Sequence, residues 1–213
     1  MELKAKRLKA RKIIKELKKL FPKTKIALDY GNNWELLVAV ELSAQCTDKK
    51  VNEVTPALFK KYPRLEDYVR ASRSEFEKDI KPTGFYRNKA KNILAAAKMV
   101  KEEFGGELPK TMKEMVGLPG VGRKSANVIL GNAYGVVEGI AVDTHVMRLS
   151  QWLGLSKHKD PERIEKDLMR IIPKKDWFGF TYRLIDYGRK YCPARAHDHK
   201  EKGCPLAKFY IKK

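Results

Sequence analysis

Thr111-Met112-Lys113-Glu114-Met115-Val116-Gly117-Leu118-Pro119-Gly120-Val121-Gly122-Arg123-Lys124-Ser125-Ala126-Asn127-Val128 is the stretch on which the fold turns. Thr111 and Glu114 have capping-box spacing and predict a short helix ending near Val116. A second helix is predicted from Arg123 to about Tyr134. The segment between them, Gly117 to Gly122, is too short and glycine-rich for anything but a tight reversal. Glycine there allows positive φ and lets backbone approach a ligand with no Cβ in the way. The first amides of the second helix have no internal partners, so they can receive an anion such as phosphate. On glycine and proline spacing alone, a plain tight turn explains the segment equally well.

Outward from this hairpin the chain keeps reading as helices separated by turn signals. Residues 3–20 place Ile13, Leu17 and Leu20 at helical spacing, with basic residues opposite, on a face that is either solvated or turned to phosphate. Asn32 and Glu35 have capping spacing ahead of the apolar run from Trp34 to Val40, which predicts a buried central helix. A helix is expected from about Asp48 to Tyr62, stopping at Pro63, and another opening at Ser72-x-x-Glu75. Ile93, Leu94, Ala97 and Val100 mark a helix from Asn88 to Phe104, ended by Gly105-Gly106. Asp160-Pro161 should start a helix that ends at Pro173, and a last one covers roughly Asp176 to Lys190. No alternating strand pattern or internal repeat interrupts this series, so the class expected is all-α.

With 213 residues the chain can bury one sizeable core or two small ones. It has no long apolar run and no basic stub followed by an apolar block, which predicts a soluble cytoplasmic protein with no membrane partner. Its net charge of +20 points to a polyanion, nucleic acid by default, because each phosphate neutralised releases a counterion. A thermophile's surface would explain many lysines, but not their excess over acids.

Lys124 gives the hairpin a chemical possibility. A cation in the first turn meets the positive end of the helix dipole, which favours the neutral amine. A neutral amine is what nucleophilic catalysis through a Schiff base requires. The alternative is an ordinary surface lysine in a lysine-rich chain.

Leu118 to Val128 resembles the helix-hairpin-helix of the endonuclease III family of DNA glycosylases. Val142-Asp143-Thr144-His145-Val146-x-Arg148 resembles the aspartate motif that follows it in that family. Leu42-Ser43-Ala44-Gln45-Cys46-Thr47-Asp48 and Gly84-Phe85-Tyr86-x-x-Lys89-Ala90 resemble two further family motifs, and all four are collinear. The resemblance implies two helical domains with a cleft between them. Residues 27–136 would form a six-helix barrel ending in the hairpin, and residues 1–26 with 137–213 the second domain. It implies a monomer acting on double-stranded DNA that carries damaged bases or abasic sites. Lys124 would attack C1′ of the damaged nucleotide, with Asp143 accepting a proton or stabilising the sugar cation. Gln45 would fill the space vacated by the extruded base, and Phe85 would be the opposing wedge. Leu118, Gly120, Val121, Gly122, Arg123 and Lys89 would contact DNA. His145, Arg148, Asp48 and Ser43 are candidates for support. Lysine at position 124 favours a bifunctional glycosylase and lyase acting on oxidised pyrimidines. Val116 stands where many relatives have an acid, which leaves a purine-lesion or mismatch specificity open. A non-catalytic DNA-binding module is the remaining reading.

The family usually ends in four cysteines that hold a [4Fe–4S] cluster. This chain has three cysteines, and Cys46 is remote from the tail, so a cluster is not expected and neither is any other cofactor. Cys192, His197, His199 and Cys204 are a weak tetrahedral zinc set of unusual spacing. A Cys192–Cys204 disulfide and two free thiols are the alternatives, the last being the expectation.

Overall fold

The computed structural model describes residues 2–194 and 203–211. Its helices are α1 (Glu2–Leu20), α2 (Asn33–Leu42), α3 (Asp48–Lys61), α4 (Leu65–Arg70), α5 (Arg73–Ile80), α6 (Tyr86–Glu103), α7 (Met112–Met115), α8 (Arg123–Tyr134), α9 (Thr144–Trp152), α10 (Pro161–Ile171) and α11 (Trp177–Lys190). No strand occurs among the described residues, so the class is all-α. The chain divides into two compact units, Ala27–Val136 and a second made of Met1–Ile26 with Val137–Lys213.

In the unit Ala27–Val136 the central element is α2. Leu36, Leu37, Val38, Ala39, Val40 and Leu42 are all buried, as expected of a helix apolar on every side. It packs against α3, α6 and α8. Asn32 caps it by accepting from Glu35 N at 2.9 Å, while Gly31 N donates back to the Glu35 carboxylate at 2.6 Å. Tyr62, Tyr68 and Phe76 form an edge-packed aromatic group beside it, with Tyr68 and Phe76 fully buried and ring centroids 5.4 to 5.7 Å apart. Asn52 of α3 staples the start of the unit, donating to Ala27 O and accepting from Asp29 N. Gly105 and Gly106, both at positive φ, end α6, with Gly106 N bonded to Val100 O at 3.0 Å.

Two local details differ from expectation. Helix α5 opens after Ser72, but the Ser72 hydroxyl pairs with Ser74 Oγ at 3.0 Å and makes no cap bond. The short α4 carries no side-chain cap; Asp67 reaches back to accept from Arg64 N at 2.9 Å. Its start has no Ser, Thr, Asp or Asn, hence no signal in the sequence.

The second unit has its own core. Ala10, Ile13, Ile14 and Leu17 of α1 are buried against Val146, Leu149, Leu153, Ile164, Leu168, Ile171, Phe180 and Leu184. Asp160 caps α10 by accepting from Arg163 N at 2.9 Å, with Pro161 at the first helical position. Lys18 of α1 pairs with the buried Asp176 at 2.6 Å, just ahead of α11. Arg183 of α11 holds the chain leaving α1 through Phe21 O at 3.0 Å.

Candidate active site

The hairpin is built by local bonds. Thr111 caps α7 through Glu114 N, and Gly117 N, Leu118 N and Val121 N each close a turn onto a carbonyl three residues back. Leu118 and Val121 are buried, which anchors the turn in the unit's core. Gly122, Arg123 and Lys124 are exposed. Gly122 is the N-cap of α8 and brings no side-chain cap bond, so the first amides of α8 stay available for an anion. Leu118 and Val121, expected among the DNA contacts, are thus anchors of the turn, and its backbone and two cations face outward. Lys124 itself lies on the surface of the unit, not buried in it.

Gly120 has φ of +86°, and a Cβ there would overlap the Glu41 carboxylate and stand 2.9 Å from Asn92 Cβ. Only glycine meets both conditions. Glu41, near the end of α2, is 6% exposed. Burial pushes its carboxyl up to about 7, opposed by Lys89 and Lys124. Glu41 belongs to none of the four motifs, and its signal in the sequence is an acid inside the apolar run Leu36-Leu37-Val38-Ala39-Val40-Glu41-Leu42.

Gln45 and Phe85 share a property. They are the non-glycine residues with positive φ among the described residues, at 52° and 48°. Both side chains are exposed, Phe85 by 61%. A left-handed non-glycine residue costs about 1–2 kcal/mol, and such strain gathers where a side chain must be held out for contact.

Lys89 corrects an expectation. The resemblance puts it among the DNA contacts, but it is 5% exposed, and its ammonium donates to Leu42 O and Thr83 O, each at 2.8 Å. Those carbonyls lie just before Gln45 and just before Phe85. Lys89 is therefore a strut between the two strained turns. Burial draws the lysine down from its ordinary value, and Cys46 and Glu41 oppose that. Ser43 ends α2 by donating to Val40 O at 2.7 Å, and Asp48 is the first residue of α3, which Thr47 caps.

In the other unit, Asp143 is the N-cap of α9 and accepts from Val146 N through Oδ1 at 2.8 Å. His145 packs over Gly188 of α11, where a Cβ would collide with its Nδ1. Arg148 donates to Cys192 O at 2.7 Å and to Cys192 Sγ at 3.3 Å, so it ties α9 to the chain leaving α11. Cys192 and Cys204 are buried and not joined by a disulfide. Cys204 Sγ lies 2.6 Å from the Tyr187 hydroxyl and 3.4 Å from that of Tyr210. Leu206 N donates to Tyr187 Oη at 3.2 Å. His197 and His199 lie outside the described residues, and among the described ones no group of His, Cys, Asp and Glu is arranged to hold a metal.

Residues 38–174 match the model of the HhH-GPD superfamily of base excision DNA repair proteins. An endonuclease III of Synechocystis sp. is 52% identical over 191 residues, 90% of this chain and 87% of that protein. Two solved structures, each 43% identical with a TM-score of 0.90 and covering 96% of this chain, are an endonuclease III in a non-covalent complex with DNA and one trapped as a covalent intermediate with DNA; the chain covers 94% and 95% of them. The chain belongs to the endonuclease III family of this superfamily, as a base-excision-repair DNA glycosylase.

Proposed function

We propose that this chain is a bifunctional DNA glycosylase and abasic-site lyase that removes oxidised pyrimidines from duplex DNA, acting as a monomer in the cytoplasm. The observation that carries the reading is Lys124, exposed in the first turn of α8 directly after a hairpin that is anchored by Leu118 and Val121 and left uncapped at Gly122. Phosphate held on those amides would fix the DNA backbone beside the amine. The endonuclease III captured in covalent linkage to DNA supports an attacking side chain.

In this reading Ala27–Val136 is the family's six-helix barrel. Gln45 and Phe85, held out by their strained turns, enter the duplex as the damaged base leaves the stack. The Lys124 amine attacks C1′, and the bond from C1′ to the base breaks, its electron pair leaving with the base. Loss of a proton from nitrogen and opening of the sugar ring give the Schiff base. Removal of a C2′ proton then expels the 3′ phosphate and nicks the strand. Asp143 stabilises the sugar cation or accepts a proton, its rotamer fixed by the Val146 cap bond. Arg148, tied to Cys192, and His145, packed over Gly188, support α9 behind it in sequence.

We infer that the chain carries no [4Fe–4S] cluster. A cluster needs four ligands, and Cys192 and Cys204 are the two cysteines of the tail, with Tyr187 and Tyr210 beside the Cys204 thiol. An iron–sulfur absorption band in the purified protein would overturn this inference.

Reductive trapping on an abasic duplex tests the chemistry. A covalent adduct is expected from the native protein and none from Lys124→Ala; an adduct that survives the substitution sinks the Schiff-base reading. Val116, exposed ahead of the hairpin, favours a second reading with altered base preference. Inactivity on thymine glycol together with activity on another lesion would select it.

A further inference from the structure

We propose that Glu41 is the proton acceptor that frees the Lys124 amine, a positioning and proton-transfer residue acting through Lys124; this rests on the Schiff-base reading above. Three observations converge on it. The carboxylate occupies the space that a Cβ at Gly120 would need, so it lies directly against the turn that carries Lys124. It is buried in an otherwise apolar stretch of α2. The cations acting on it come from two of the three helices packed against α2, Lys89 from α6 and Lys124 from α8. Cys46, in the turn before α3, acts on Lys89.

These cations differ in their freedom to react. Lys89 is fixed by two carbonyls and serves as a strut. Lys124 is exposed and bonded in no such way. Moving a proton from Lys124 to Glu41 breaks an Nζ–H bond, forms an Oε–H bond, and turns a cation and an anion into two neutral groups. Burial of the carboxylate favours its taking the proton, because charge in a medium of low polarity is what desolvation penalises. The transfer runs directly or through one water. A carboxyl titrating near 7 is matched to this work at neutral pH, since it is ionised often enough to accept and acidic enough to release. Carrying such an acid in a core lowers stability, which is the usual mark of a group kept for chemistry.

The test is single-turnover nicking of an abasic duplex from about pH 5 to about pH 9, with binding to an uncleavable abasic analogue measured alongside. The native rate should rise with pH through a limb near 7, because the acceptor works in its ionised form. Glu41→Gln should lose that limb and fall by about 10²-fold above it, with binding held within about 2-fold. A native limb in Glu41→Gln overturns the proposal. Should the amide variant fail to fold, as judged by circular dichroism, Glu41→Asp is read instead. Its shorter reach should slow the reaction and displace the limb, and a native profile at the native rate overturns the proposal. Lys124→Ala separates the two readings. If it still forms the trapped adduct, the Schiff-base reading falls; if it does not while Glu41→Gln keeps the native limb, only the role of Glu41 falls.

Discussion

The turns around Gly120, Gln45 and Phe85 and the segment around Cys192 and Cys204 treat their polar groups in opposite ways. In the first, the Glu41 carboxyl is buried among apolar residues, and two non-glycine residues hold left-handed backbone. In the second, Tyr187 pairs with Cys204, Leu206 N donates to Tyr187, and Arg148 holds Cys192 by its thiol and its carbonyl. The first region stores strain and a buried acid, whereas the second spends its polar groups on one another. A chain tolerates the former only where something besides folding is gained, so the contrast separates a reacting region from a structural one. Substitutions in the two regions should therefore differ in kind, with the first changing activity and the second, apart from Arg148, moving stability alone.

The largest effect is expected at Gly120. Gly120→Ala forces a Cβ into the Glu41 carboxylate at a φ of +86° and should cost about 3 kcal/mol, from left-handed strain plus overpacking. Nicking activity should fall with it. In the double variant Gly120→Ala/Glu41→Gly the overlap with the carboxylate is gone while the close approach to Asn92 remains, and part of the stability should return without the activity. Denaturant midpoints and nicking rates read both, and full recovery of activity would deny Glu41 any part in the reaction.

Next comes the pH dependence of stability. The folded Glu41 carboxyl titrates near 7, above its ordinary value of 4.5, so the folded chain holds that proton more tightly than the unfolded one. Its contribution is thus fully present below about 4.5 and is lost as pH rises through about 7. The shift corresponds to roughly 3 kcal/mol at one pH unit per 1.4 kcal/mol. Relative to Glu41→Gln, the native protein should lose roughly that much between about pH 4 and about pH 8. Parallel pH profiles of the two proteins would remove Glu41 from the contrast.

Lys89→Met should act more moderately. It leaves Leu42 O and Thr83 O without their shared donor, at a cost of about 2 kcal/mol after the lysine's own desolvation is returned. With the strut gone, Gln45 and Phe85 should engage lesion duplex less well, raising KM more than lowering kcat. The loss of a nearby cation should also move the limb assigned to Glu41 upward. An unchanged KM would mean that the two turns hold themselves.

How far the sequence reveals these regions depends on what each residue's role leaves in the pattern. Helices with a side-chain cap are readable, as Asn32, Thr111 and Asp160 demonstrate, because the cap residue and its partner lie three apart. Helix α4 is not, because Asp67 works from inside the helix on a backbone amide. The hairpin is readable from its glycines, since φ at Gly120 admits little else. Lys89 misleads because residue type says nothing of burial: a lysine in a motif near a wedge suggests phosphate, while its real partners are carbonyls 47 and 6 residues away in sequence. Glu41 was detectable in principle, as a charge breaking an apolar run. What the pattern could not reveal is the contact with Gly120, which arises only when α2 packs on α8.

The smallest effects should fall in the cysteine segment, and they sharpen the contrast from its other side. Tyr187→Phe removes a hydroxyl that sits 2.6 Å from Cys204 Sγ and accepts from Leu206 N, leaving a buried amide without its partner. That should cost about 1–2 kcal/mol. Tyr210→Phe removes a hydroxyl that bonds to Cys192 and makes long contacts with Tyr187 and Cys204, at 3.3 and 3.4 Å, and should cost about 1 kcal/mol. Neither should change the pH limb of nicking, because that limb is assigned to Glu41 and the charges acting on it are Lys89 and Lys124. Thermal unfolding and the nicking profile measured on the same preparations decide it. A stability loss with an unmoved profile is what a segment closed on itself predicts, whereas a moved profile would make the cysteine segment part of the reacting region and erase the contrast.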